Sequence, residues 1–411
     1  MKAFFDVELG YNFEQQEIRK SEGQVSLEVE GKLGENVSYT LIPELKLDLQ
    51  STLNQSGDRL DSFSSANGSL THSQHAILSL SEAYIEFDSE SVFWTIGKQQ
   101  VVWGEADGIK VLDVVNPQDL RELNLDSFEN SRIPTWMLNA EAYLPWFDES
   151  SLQFLLIHDM TFNRLAERGT DFEIRSPFSR PQLDLNYAVR SEPLQRPDNQ
   201  WETGLRWSVF FEGWDFSFIY FNHYHDFPVV YVDQIDGLTP TQVFSPEYQR
   251  NNLYGLTASS AFGDWVVRSE VGYNSSGYYV NDGTGVGVTN SANLNSVIAL
   301  DYHGFKEILV SYQWFQTHLL DYRDEILRDK SNTVHTLSVR QDFWNDTLTL
   351  KWFGLFDHQS DDGEFRVEVF YRYSDNLSLW AGIDMFYGKE EGLFGEFTYN
   401  DRFVLGFKYA L

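Results

Sequence analysis

The chain contains no cysteine. That excludes disulfides, thiolate metal sites and covalent haem attachment. It suits a chain that crosses an oxidising compartment without forming stray bridges. Basic residues are scarce: 30 Lys and Arg stand against 62 Asp and Glu, a formal charge of −32. Nucleic-acid recognition needs basic patches, so that partner is excluded. The charge itself reads first as solubility and acidic loops, and second as a field favouring cations. Long apolar runs are missing too, with no stretch of about 18 such residues, so no transmembrane helix is expected. No repeat, linker or low-complexity block divides the 411 residues, and one unit over 1–411 is expected. Met1 to Asp6 lack the apolar core of a secretory signal, so the numbering is expected to start on a mature or trimmed chain.

What is abundant is aromatic: 12 Trp, 21 Tyr and 32 Phe, the usage of a protein whose rings anchor at a membrane interface. The dominant pattern has period two. Phe5, Val7, Leu9, Tyr11 and Phe13 alternate with Asp6, Glu8, Gly10 and Asn12. Leu205, Trp207, Val209 and Phe211 alternate with Gly204, Arg206 and Ser208, and Phe365, Val367, Val369 and Tyr371 with Arg366, Glu368 and Arg372. Strand side chains point alternately to opposite faces, so each segment has one apolar and one polar face. Segments of about ten such residues between turns are the signature of a transmembrane β-barrel with a wet interior.

Short connections fall near 34–36, 89–90, 147–149, 212–213, 262–264, 303–304, 344–346 and 374–376. Longer ones lie between, at 14–23, 51–76, 102–133, 159–200, 226–249, 276–292, 319–332, 358–363 and 388–401. Short periplasmic turns and long outer loops alternate in this way in outer-membrane barrels. The spacing predicts an all-β antiparallel barrel of about 18 strands (16 is the other count) with both termini periplasmic. Leu393 to Tyr399 are assigned to the last outer loop, because a strand there would make the count odd. A soluble sandwich or propeller would also alternate, but the turn pattern and the absence of a blade-length repeat favour the barrel.

With the apolar faces on lipid, the opposite faces line the lumen. Those candidates include Glu82, Tyr84, Glu141, Arg206, Arg268, Glu270, Arg340, Arg366, Glu368, Arg372 and Asp384. Charges of both signs there serve either as a transverse field acting on solutes or as mutual partners in a narrow lumen, and the second reading is favoured for any single residue.

A barrel of this size leaks unless loops fill it. Segment 102–133 carries an apolar thread (Val111, Leu112, Val114, Val115, Leu120, Leu123 and Leu125) that a solvated loop would not need. It is expected to fold into the lumen as a constriction or plug, anchored by Trp103, Glu105, Asp107, Asp113, Asn116 and Asp119. Asn116 to Leu120 read as a turn followed by one helical turn, with Pro117 near its start. Segment 159–200, an outer loop with six Arg and several Pro, could close the mouth, pair with acidic loops or touch lipopolysaccharide phosphates.

The run Gly97, Gln99, Val101, Trp103, Gly104, Glu105 and Ala106, followed by Asp113, Asn116, Pro117 and Asp119, resembles a proteobacterial outer-membrane barrel family of unknown function. Its pattern is roughly G-x-Q-x-V-x-W-G-E-A, then D-x-x-N-P-x-D. A related look occurs in alginate-export-type channels. The resemblance implies a porin-like channel or exit duct for small, amphipathic or hydrophobic molecules. It also implies a gene neighbourhood with an inner-membrane RND-type lipid transporter and a periplasmic carrier. No catalytic residue is implied. The last strand, Phe403 to Leu411, resembles the sorting signal of such barrels, although it ends in Leu rather than an aromatic residue.

Two other classes are weighed against the channel. A hydrolase would need a nucleophile and an oriented His. His223 and His225 share one strand face, His158 precedes Asp159, and His72 and His75 form a weak pair without a third ligand. No Gly-x-Ser-x-Gly elbow is present, so no enzyme is expected. A barrel sheath for a periplasmic or surface partner, including a redox carrier, would need a separate cofactor protein. No cofactor is expected, with calcium at Asp357, Asp361, Asp362 and Glu364 as the one alternative.

Overall fold

A computed structural model describes all residues except 51–61, 74, 146–148, 182–185, 198–199, 236–238 and 284. The expected turn at 147–148 and most of the first half of the 51–76 connection therefore lie outside the described residues.

Eighteen long antiparallel strands form one closed sheet. They are β1 (Lys2–Asn12), β2 (Glu17–Lys32), β3 (Val37–Asp48), β4 (Ala76–Ser89), β5 (Val92–Gln99), β6 (Thr135–Tyr143), β7 (Ser150–Ile157), β8 (Glu202–Phe211) and β9 (Trp214–Tyr224). The second half comprises β10 (Arg250–Phe262), β11 (Trp265–Asn274), β12 (Asn293–Phe305), β13 (Ile308–Leu319), β14 (Ser331–Phe343), β15 (Leu348–Asp357), β16 (Asp362–Arg372), β17 (Leu377–Tyr387) and β18 (Arg402–Ala410). Each pairs with the next, and β1 pairs with β18 from Phe4↔Ala410 to Asn12↔Arg402. Closure leaves no edge strand, the condition for a sheet in lipid.

The alternation has its expected consequence. Leu205, Phe218, Leu256, Ile298, Trp314, Leu379, Leu405 and Phe407 all project outward and are exposed as an apolar band. Rings collect where strands meet the tight turns. Trp214 packs edge-on to Phe262 at 5.6 Å, and Trp265 lies 4.5 Å from Tyr302, which packs on Phe305 at 5.0 Å. Such a girdle marks a membrane–water interface.

The strict alternation of short and long connections fails twice. The expected loop at 14–23 is a four-residue turn between Asn12 and Glu17, closed by Asn12 Oδ1 accepting from Gln15 N at 2.8 Å and by Gln16 at φ 56°. Its polar residues run on as strand because the inner face has partners for them: Lys20 meets Glu8 at 2.8 Å. Residues 358–361 are likewise a tight turn, with Asp361 at φ 52°. Residues 393–399 stay out of the sheet; Gly395–Asn400 form a 3-10 helix, held by Asp362 accepting from Phe394 N and Gly395 N.

Candidate functional site: the inward loop and the passage beside it

The chain leaves the wall at the end of β5 and crosses the lumen before returning in β6. Gly97 starts the departure at φ 138°, a conformation that side chains rarely adopt. A Cβ there would lie 2.2 Å from the Ala83 carbonyl oxygen. Gly97→Ala is expected to cost at least about 2 kcal/mol, read as a lowered urea midpoint for the heat-shifted gel band of the folded barrel.

Asn116 ties both feet of the loop together. Its Oδ1 accepts from Val101 N at 2.7 Å, and its Nδ2 donates to Gln99 O at 3.2 Å and to Ile133 O at 3.1 Å. A short side chain offering one acceptor and two donors is what three converging backbone groups require. Pro117 does not start a helix, as the sequence suggested. Asp119–Leu120 instead form a short strand parallel to Arg164–Leu165, and the single helical turn comes later, at Phe128–Ser131. The acceptor for Gln118 N is Asn163 Oδ1 at 2.7 Å, so a tertiary partner replaces the helical bond.

Residues 101–115 dock on the wall formed by β7 to β14. Trp103 is 1% exposed, packs edge-on to Phe221 at 5.5 Å and donates from Nε1 to Gln153 Oε1 at 2.7 Å. Leu112 is fully buried against Gly255 and Gly272, where added Cβ atoms would stand 2.7 and 3.0 Å from its methyl carbon. The two glycines make a notch for one leucine. Glu270 accepts backbone N–H groups from Glu105 and Ala106 on one oxygen and from Leu112 at 3.1 Å on the other. Arg268 donates to the Glu105 carbonyl, meets Asp107 at 2.9 Å and is steadied by Asp301 at 2.8 Å. Asp113 joins Arg132 at 2.7 Å and Lys110 at 3.2 Å. Burial lowers the Lys110 ammonium from its usual range, against the pull of Asp113.

Residues 119–126 dock differently, on the opposite wall and through charge. Glu122 meets Lys20 at 2.6 Å and Arg402 at 2.7 Å, and Arg402 also holds Asp384 at 2.7 Å. Burial works to raise the Glu122 carboxyl, but Arg402 and Lys20 hold it well below the usual carboxylate range. Asp119 is held low in the same way, burial being outweighed by Arg121 at 2.8 Å and by Arg164. Asn124 donates to Glu364 at 2.6 Å, and Arg366 donates to the Asn124 and Leu125 carbonyls at 3.1 and 3.0 Å.

The loop therefore spans the lumen from one wall to the other without filling it. Apart from Leu120, which lines the open space, its apolar thread forms a single buried core with Leu155, Ile157, Ile219, Phe221, Leu253, Val297, Phe315 and Leu355 of the wall. Beside it runs a cavity of about 3030 Å³. This passage reaches from Asp6, Trp380 and Lys408 near the turn end to Val189, Phe244 and Val280 at the loop end. Fifteen of the chain's 30 Lys and Arg line it, against sixteen of its 62 Asp and Glu. The lining is thus close to neutral, and the excess of acid lies elsewhere.

Of the residues expected in the lumen, Glu82, Arg366, Glu368 and Asp384 line the passage, and Glu82 accepts from Gln100 at 3.2 Å. Arg206, Arg268 and Glu270 face inward but serve the loop, Arg206 donating to the Val102 carbonyl at 3.3 Å. Tyr84 stands on the inner face beside Glu82, and Glu141 opposite Gln153. Arg340 and Arg372 sit near the tight turns, the first with Asp342 at 3.0 Å and the second on the Asp346 carbonyl at 3.0 Å. Lys20, Glu122 and Arg402 were not singled out. Parity along β2 and β18 could have aimed Lys20 and Arg402 inward, but nothing in the sequence pairs them with residue 122.

The other candidates are dispersed. Asn251 donates to His223 at 3.2 Å, His225 contacts the Ser276 carbonyl at 2.9 Å, and His158 the Gln200 carbonyl at 2.9 Å. The four acidic residues weighed for calcium have separate partners. Asp357 accepts from Asn332 and Asp361 from Lys389; Asp362 caps the 3-10 helix and Glu364 accepts from Asn124. Among the described residues, no group of three or more His, Asp or Glu could hold a metal ion.

A family model covers residues 46–411 and so includes the whole of this motif, from Gly97 to Asp119. The chain belongs to the family described as "Protein of unknown function (DUF1302)". The sequence motif pointed to a family of this kind. No curated protein matches the chain. DUF1302 here takes the porin fold. The structure is similar to OpdK of Pseudomonas aeruginosa, solved with vanillate, at a TM-score of 0.53 and 10% identity, covering 100% of this chain and 97% of that one. A mutant porin of Rh. blastica follows at 0.42 and 9% identity, covering 100% and 99%, too distant to carry an argument.

Proposed function

We propose that the protein is a channel of the Gram-negative outer membrane for small molecules, with no chemistry of its own. Both termini would face the periplasm, beside the tight turns. The observation that carries this reading is the charged passage that runs past the packed loop from one end of the barrel to the other. A pore without the loop would be a general leak; the loop turns it into a filter. A sheath for a redox carrier fits less well, because the lumen is occupied by the chain's own core.

The test is single-channel recording of the purified protein in planar bilayers. Small openings with weak preference between cations and anions are expected, since the lining is near neutral although the chain carries −32. Strong cation selectivity would mean that the outer acidic surface, not the passage, governs ion entry. Silence in a correctly folded barrel would count against a passive channel and favour an exit duct fed by an inner-membrane RND-type transporter through a periplasmic carrier. Co-isolation of those partners tests that form. Solute screening begins with small aromatic carboxylates, because OpdK was solved with vanillate. The arginines of 159–200 are proposed to meet lipopolysaccharide phosphates at the rim.

A further inference from the structure

We propose that residues 121–127 are a movable gate on the passage, and that the first half of the inward loop is a fixed plug. The inference rests on the channel reading above. Its ground is the contrast between the two ways in which the loop is held.

The first half is held by apolar burial, by the leucine notch and by a carboxylate that accepts three backbone N–H groups. Lifting it would expose Trp103 and Leu112 to water with nothing gained in exchange. The segment 121–127 lies between two anchors: the short strand Asp119–Leu120 on Arg164–Leu165, and the helical turn Phe128–Ser131. Between them it touches the opposite wall chiefly through ions, at Glu122 with Lys20 and Arg402, and through Arg366 and Glu364; Leu123 and Leu125 add its apolar contacts. For buried ion pairs, attraction is largely offset by desolvation, so exchanging them for water changes the energy little.

Two further observations show that this contact is imperfect when made. Asn124 Oδ1, Glu364 Oε2 and Arg366 Nε are buried there without a hydrogen-bond partner, a concentration at one contact that native interiors avoid. Leu123 adopts φ 54°, the left-handed region unfavourable for a residue with a Cβ. A contact that leaves polar atoms unsatisfied and bends the backbone is poised for a second arrangement. The position suits a gate: Arg121, Leu123, Asn124, Leu125, Asp126 and Ser127 all line the passage. Glu122 alone turns away from it, into the wall.

The test uses the absence of native cysteine. Asn124→Cys and Glu364→Cys are introduced together and joined by a short, reductant-cleavable thiol linker, with folding verified by the heat-shifted gel band. Bridging is expected to reduce single-channel conductance severalfold, and reductant to restore it only in the double variant. Glu122→Gln, which removes the latch charge without changing its shape, is expected to raise time-averaged conductance severalfold. Bridged and unbridged channels that conduct alike, together with an unchanged Glu122→Gln, would overturn the gate and leave the channel standing. A folded protein that is silent in every form, Glu122→Gln included, would overturn the channel reading and the gate with it.

Discussion

Glu270→Ala is expected to release the first half of the inward loop while leaving the barrel closed. In the native protein its two oxygens accept the N–H groups of Glu105, Ala106 and Leu112, all at buried or half-buried positions. Alanine offers no acceptor for these three groups. A buried donor left unpaired costs roughly 1–3 kcal/mol, so loss of the three bonds removes on the order of 4 kcal/mol of docking energy. Arg268, which leans on the Glu105 carbonyl and Asp107, loses its geometry at the same time. The expected readouts are larger, noisier single-channel openings and protease cleavage between residues 101 and 115, with the folded gel band retained. Glu270→Gln keeps one acceptor oxygen and is expected to fall between native and Ala. Unchanged conductance in Glu270→Ala would mean that the loop is not what limits flow.

The second large effect is expected from Trp103→Ala combined with Asn116→Ala. Truncating a fully buried Trp costs about 3–5 kcal/mol through lost burial and the cavity left behind. Here the cavity opens between Gly204 and Phe221, where the indole now fits against a bare backbone. Removing the Asn116 side chain leaves Val101 N without an acceptor and two carbonyls without donors, which adds about 2 kcal/mol. The two residues lie on the same loop, so their effects are not expected to add simply. Conductance of the double variant should exceed that of either single variant. The barrel should survive, because neither side chain belongs to a wall strand.

How much of this was legible beforehand follows from where each signal resides. The eighteen strands could be read off because alternation is a local property: facing lipid on one side and water on the other imposes period two on every strand. The first connection misled because Ile18 is the only apolar side chain from Glu14 to Gln24, which reads as loop; the strand there is half lumen wall, and its partners come from residues 8 and 122. The inward loop announced itself through Val111, Leu112 and Val115, apolar residues that a solvated loop would not keep. The motif residues Gly97, Gln99, Trp103 and Asn116 were visible as a pattern, but their purposes were not. Only in the fold does Gly97 let the chain turn inward and Asn116 clasp both feet.

Charge divides the two levels most clearly. The sequence by itself determined the barrel, the loop that enters it and the net charge of −32, because each follows from neighbours along the chain or from counting. Only the tertiary structure decided that half of the basic residues but about a quarter of the acidic ones line the passage, and that Glu122 meets Lys20 and Arg402, 102 and 280 positions away. The physical reason is distance. Strand periodicity reports which face a side chain takes, whereas its partner across the lumen depends on closure, tilt and register, which no local stretch encodes.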